Sequence, residues 1–134
     1  MAIIINNVKK GGVDFSGVHI TKDYFGLYGN FSHCNFSGIQ VDDLPEIIRF
    51  DDDTILDHCN FSGVQFATEA NPNLWLWEVL PISCKGTNFT GCTFNDGMNT
   101  KEKFIMAMGG GDYHAGLAFV SKETLWIDGT SILD

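Results

Sequence analysis

Basic side chains are scarce in this chain: 8 Lys and Arg stand against 17 Asp and Glu, a formal net charge of −9 over 134 residues. A surface so poor in cations repels phosphate backbones and anionic bilayers, so neither direct nucleic-acid binding nor membrane attachment is expected. No run approaches the roughly eighteen apolar residues of a membrane-crossing helix. Met1 to Val8 lacks the basic start, long apolar stretch and small-residue cleavage site of a secretory leader, and a cytoplasmic location is the expectation. The four cysteines, Cys34, Cys59, Cys84 and Cys92, include no CxxC pair and no histidine at finger-like spacing. They are expected to be structural thiols, with no metal and no cofactor.

What the chain does have is a five-residue cadence centred on phenylalanine. It occurs as Asp14-Phe15-Ser16-Gly17, Cys34-Asn35-Phe36-Ser37-Gly38, Cys59-Asn60-Phe61-Ser62-Gly63 and Thr87-Asn88-Phe89-Thr90-Gly91. Second apolar centres lie five residues away, at Phe31, Leu56, Phe66 and Phe94. Helices repeat at 3.6 and strands at 2, so a period of five requires a chain that turns a corner every five residues. Alternate residues of an extended segment share a face. The residue two before each centre therefore points inward with it, and these are mostly small or β-branched: Val13, Gly29, Cys34, Ile39, Thr54, Cys59, Val64, Ile82, Thr87 and Cys92. The intervening Asp or Asn and the following Ser, Thr or Gly suit corners.

With these units, spanning 13 to 22, 29 to 43, 54 to 68 and 82 to 96, the chain resembles the pentapeptide-repeat family. The resemblance implies a mainly β fold, a right-handed quadrilateral β-helix of about four coils with outward loops, each coil about twenty residues. Phe15, Phe36, Phe61 and Phe89 are 21, 25 and 28 residues apart, one coil each with loops bulging out. Residues 1–96 then form the repeat domain, interrupted by insertions at 44–53 and 69–81.

The ends need covering, because an open stack exposes unpaired strand edges. Ala2 to Ile5 is expected to be the first edge strand. Asn99 followed by Glu102 reads as a capping box opening a helix over Lys101 to Met108, which Gly109-Gly110-Gly111 stops. Leu117 to Val120 and Thr124 to Ile127 read as strands, so 97–134 is expected to be a small α+β cap or a dimer surface. Leu125, Trp126, Ile132 and Leu133 would supply the contact of a homodimer through 117–134.

Candidate catalytic features are few. His19, His33 and His58 fall within or beside repeat units at positions expected to face solvent, with no nucleophile at a recognisable spacing. The segment Gly109 to Gly116 is glycine-rich but follows a helix, and it lacks the Lys and Ser or Thr of a phosphate-binding loop. It reads as a helix terminator and flexible connector, and an enzyme is not expected. Two segments point instead to protein binding. Between Asp42 and Asp57 lie seven acids, Asp42, Asp43, Glu46, Asp51, Asp52, Asp53 and Asp57, against Arg49 alone, a local charge of −6. Three adjacent acids cannot all face one ion and the spacing is not that of a calcium loop. In the second insertion Trp75 and Trp77 alternate onto one face, as partner-binding anchors do or as edge-strand packing would.

The leading expectation is a non-enzymatic inhibitor that presents an acidic face to a nucleic-acid-binding protein or complex. The resemblance implies it, since some members of that family mimic DNA towards gyrase. The short, interrupted chain fits better a small phage or mobile-element protein directed at a nuclease, a topoisomerase or a CRISPR complex. The alternative is a structural or adaptor module docking through Trp75 and Trp77.

Overall fold

A computed structural model describes residues 2–6, 13–17, 19–20, 24–41, 47–50, 54–67, 83–94 and 96–134. Its organising unit is a tight turn rather than a strand. In each unit the amide three residues on donates back to the carbonyl that opens the turn: Cys34 to Phe31, Ile39 to Phe36, Cys59 to Leu56, Val64 to Phe61, Thr87 to Cys84 and Cys92 to Phe89. The third residue of each turn sits at positive φ, at His33, Gly38, His58, Gly63, Gly86 and Gly91, the geometry of a type II turn. Four residues of every five are thus committed to turning, which leaves one to pair with the next layer.

These single residues make parallel bridges. Asp14 pairs with Asn35, Asn35 with Asn60, Asn60 with Asn88 and Asn88 with Leu125; a second line runs from Asn30 through Ile55 to Ser83, and Gln65 pairs with Thr93. The first line explains its own composition. Asp14, Asn35, Asn60 and Asn88 each turn Oδ1 onto the amide two residues later, at 2.9 to 3.0 Å, closing the corner that follows.

Among the described residues longer pairing occurs only near the N-terminus. β1 (Ala2–Asn6), β3 (Tyr24–Tyr28) and β5 (Ile47–Phe50) form a parallel three-stranded sheet in the order β1-β3-β5. β2 (His19–Ile20) pairs with β4 (Gln40–Val41). β1 is therefore an edge, as its sequence predicts. β5, however, lies inside the segment 44–53 that reads as an insertion.

The expected fold class is corrected. Among the described residues no strand follows Phe50, and the repeat units are joined by isolated bridges rather than by the faces of a β-helix. The regular elements of the C-terminal half are helical: α1 (Lys101–Met108), α2 (Tyr113–Gly116) and a 3-10 turn over Leu117–Phe119. The described part is thus neither mainly β nor capped by an α+β unit. The reason is the turn itself: a corner every five residues consumes the backbone that a ladder of strands needs.

Two columns of aromatic rings fill the interior. Phe15, Phe36, Phe61 and Phe89 stack with centroids 5.1, 4.9 and 6.0 Å apart and planes within 10°. Phe66, Phe94 and Trp126 form the second column at 5.2 and 5.4 Å. Neighbouring columns meet at 57–67°, the edge-on arrangement that ring quadrupoles favour. Phe104 of α1 packs against Phe89, Phe94 and Trp126 and closes this end.

Small donors line the columns. Cys59 Sγ donates to the Phe31 carbonyl at 2.9 Å, Thr87 Oγ1 to Leu56 at 2.6 Å, Thr124 Oγ1 to Cys84 at 2.8 Å and Cys92 Sγ to Phe61 at 3.0 Å. Each of these carbonyls opens a turn in the layer before, so a buried acceptor is satisfied by a side chain too small to disturb the rings. All four cysteines are buried thiols. Burial pushes the thiols of Cys59 and Cys92 up to about 12, and that of Cys84 well above its ordinary value. Native protein is therefore expected to leave all four unmodified by a thiol-specific disulfide reagent at pH 8, and to titrate four on unfolding; prompt reaction of any native thiol would contradict this packing.

α1 begins at Thr100, whose Oγ1 accepts the Lys103 amide at 3.1 Å, one residue later than the capping box at Asn99 predicts. Leu117 to Val120 is not a strand but the 3-10 turn and its exit, and Thr124 to Ile127 contributes only the Leu125 bridges. Trp126, 4 % exposed, and Ile132, 2 % exposed, belong to the core, so they cannot form the dimer contact expected of them; Leu133 is 43 % exposed.

Candidate functional site

The turns present two described corners to solvent. One carries Ser16-Gly17, Ser37-Gly38, Ser62-Gly63 and Thr90-Gly91, a neutral column of hydroxyls and glycines. The other carries Ser32-His33, Asp57-His58 and Lys85-Gly86, and holds the ionisable groups. Here the two imidazoles of His33 and His58, both exposed, stack with centroids 4.8 Å apart and planes at 7°. Their backbones hold φ of 63° and 56°, a region L residues enter at a cost of roughly 1–2 kcal/mol, though histidine less rarely than most. Gly86 holds the same place in the next layer, and a Cβ there would run into His58 Nδ1.

Of the acidic residues singled out in the sequence, Asp42, Asp43, Glu46, Asp51, Asp52 and Asp53 lie outside the described residues, as do Trp75, Trp77 and His19's side chain. Asp57 is placed. Its Oδ1 accepts the hydroxyl of Ser83 and the amide of Lys85, the latter at 2.8 Å, so it ties its layer to the next.

Three further carboxylates, absent from the sequence-based set, are held ionised by their own turns. Asp14 lies below the usual carboxylate range chiefly through the hydroxyl and amide of Ser16. Asp128 does so through the hydroxyl and amide of Thr130, which approach Oδ1 at 2.6 and 3.0 Å. Glu123 is lowered by its own backbone amide and by Ser121, with smaller contributions from Lys122 and His58. The signal for the two aspartates was legible: Asp followed two residues later by Ser or Thr is a self-closing turn. Lys101 and Lys103 do not neutralise them at bonding distance. Lys101 Nζ reaches Thr130 Oγ1 at 2.8 Å, while Lys103 Nζ reaches the Asp96 carbonyl at 3.0 Å and Asn99 Oδ1 at 3.3 Å.

The glycine-rich segment is a helix stop, as read, but not a connector. Gly109 closes α1, and Asp112 opens α2 by accepting the amides of His114 and Ala115 at 2.9 and 3.4 Å. Amides that could have faced a phosphate are thereby taken by a carboxylate. Among the described residues no helix is long and apolar enough to cross a membrane, and no group of three or more His, Cys, Asp and Glu is arranged to hold a metal ion. No family model matches the chain, and neither a curated protein nor a solved structure matches it.

Proposed function

We propose that this chain is a non-enzymatic binding protein whose fixed acidic surface engages a nucleic-acid-binding protein or complex and competes with its nucleic acid. The observation that carries the reading is the state of the charge. A net −9 is distributed over a scaffold in which Asp14, Glu123 and Asp128 are kept ionised by turn hydrogen bonds. A carboxylate already held by its own backbone meets a cationic partner with little further ordering, and ordering is a principal cost of association. The turns that carry these carboxylates belong to a stack whose layers repeat at about 5 Å.

The segment from Asp42 to Asp57 contributes the greatest charge density and is the face to test. Immobilised protein is expected to capture a nucleic-acid-binding nuclease, topoisomerase or RNA-guided complex from a bacterial lysate and to release it at moderate salt, since exposed charges are screened within about 8–10 Å at such ionic strengths. Purified target should then be displaced by duplex DNA. Replacing Asp51, Asp52 and Asp53 together by lysine should weaken the complex by an order of magnitude or more. The reading fails if the triple variant binds as well as the parent, or if capture resists salt and is lost instead on Trp75→Ala and Trp77→Ala, which is the behaviour of an aromatic dock.

A further inference from the structure

The stacked histidines have no part in an acidic surface, and nothing in the packing of the turns asks for them. Gly86 occupies the equivalent place one layer on, at φ 70°, and glycine would serve at 33 and 58 without backbone strain. The two units nevertheless place an identical group at the same turn position in consecutive layers: Ser32-His33-Cys34-Asn35-Phe36 and Asp57-His58-Cys59-Asn60-Phe61. Strain retained at an exposed position where glycine would relieve it directs attention to the side chain.

We propose that His33 and His58 form a two-imidazole site for a borderline divalent transition cation such as Cu²⁺ or Ni²⁺. Imidazole nitrogen is the ligand these ions favour, whereas Mg²⁺ and Ca²⁺ favour oxygen. The layer spacing sets the geometry. Nearly parallel rings stacked face to face aim their in-plane nitrogen lone pairs side by side rather than at one another, so binding requires both exposed rings to turn until a nitrogen of each lies about 2.1 Å from a shared ion. Both side chains are exposed, and the χ2 torsion of histidine is broad, so this adjustment leaves the core untouched. The main-chain positions do not move, because the His33 amide is bonded to the Asp57 carbonyl at 3.0 Å and the His58 amide to Lys85 at 2.9 Å. Two protein ligands hold one edge of the ion and leave its other positions to water.

The charged neighbours tolerate the ion. Glu123 lies near enough to His58 for the two to attract, and Asp57 adjoins it in sequence with its Oδ1 turned to the next layer. Lys85, on the same corner, and Lys122, beside Glu123 in sequence, are cations that oppose the ion.

The test uses the full chain with Cu²⁺ or Ni²⁺ as its chloride, followed by isothermal titration and, for Cu²⁺, electron paramagnetic resonance. The expected result is one ion per chain, with nitrogen hyperfine structure from two imidazoles. His33→Asn and His58→Asn each keep a residue that accepts positive φ. Each should weaken binding by at least about tenfold, with circular dichroism and melting behaviour unchanged. His114→Asn should bind as the parent does. No uptake by the parent, undiminished uptake in either His33→Asn or His58→Asn, or a single-nitrogen spectrum would each overturn the site.

Discussion

Phe61→Ala is expected to cost about 3–5 kcal/mol of folding stability, the range for truncating a buried aromatic ring. Phe61 lies within the longer column: it stacks on Phe36 at 4.9 Å and Phe89 at 6.0 Å and meets Phe66 edge-on at 5.5 Å. Removing the ring opens a cavity between two layers that the backbone bridges of Asn35, Asn60 and Asn88 hold at fixed separation, so the layers cannot collapse to fill it. Phe15→Ala should cost much less, because Phe15 stands at the end of the described column, is only half-buried, and among the described rings stacks on Phe36 alone. Equilibrium unfolding in urea reads both. Similar losses for the two variants would mean that the column is not a continuous packed unit.

The second large effect is expected at Gly116, where α2 meets α1. A Cβ at 116 would overlap the carbonyl oxygen of Ile105 and crowd its Cγ2. A carbonyl engaged in a helix cannot turn aside as a flexible side chain can; Ile105 O accepts the Gly109 amide at 3.2 Å. Gly116→Ala must therefore separate the helices or unwind the end of α1, at about 1–3 kcal/mol or more. Gly110 supplies the control. Unlike Gly116, whose φ is −63°, it has a positive φ, 66°, but nothing lies within 4 Å of its missing Cβ, so Gly110→Ala should lose only the roughly 1–2 kcal/mol of backbone strain. Amide hydrogen exchange separates the two cases: protection at Gly109, Gly110 and Gly111 should fall in Gly116→Ala well beyond its fall in Gly110→Ala.

The interior of this protein was legible in its sequence because period five has one physical meaning, a corner every five residues. Of the positions read as inward and small, Cys34, Ile39, Thr54, Cys59, Val64, Thr87 and Cys92 are buried, Val13 and Gly29 are half-buried, and Ile82 lies outside the described residues. α1 was legible for the same kind of reason, since three glycines can only end a helix. The fold class was not, because a pattern that locates corners does not say how much extended backbone survives between them. Nor was the role of Trp126. Thr124-Leu125-Trp126-Ile127-Asp128-Gly129 is a further turn of the cadence, its Leu125 bridging Asn88, but 37 residues separate that pair where earlier neighbours are 21 to 28 apart, and α1 and α2 intervene. The stacked imidazoles were present in the sequence as well, at one turn position in two consecutive units; each histidine weighed singly is only a surface residue. Of the acidic segment Asp57 alone lies on a described turn; Asp42, Asp43, Glu46, Asp51, Asp52, Asp53, Trp75 and Trp77 lie outside the described residues.

The bridging column of Asp14, Asn35, Asn60 and Asn88 carries a rule about where this protein can store its charge. A translational stack sets every side chain beside its own counterpart, so a carboxylate repeated along a column would meet like charges at about 5 Å, an exposed repulsion near 1 kcal/mol per contact. Asparagine closes the same corner without that penalty, and the column keeps its one ionised member at the first layer. Elsewhere Asp57 is followed by Lys85 in the equivalent place, an alternation in sign rather than a repeat. The regularity that orders the interior thus disfavours a carboxylate repeated along these described columns, and it favours a neutral amide or an alternation of sign at each successive layer.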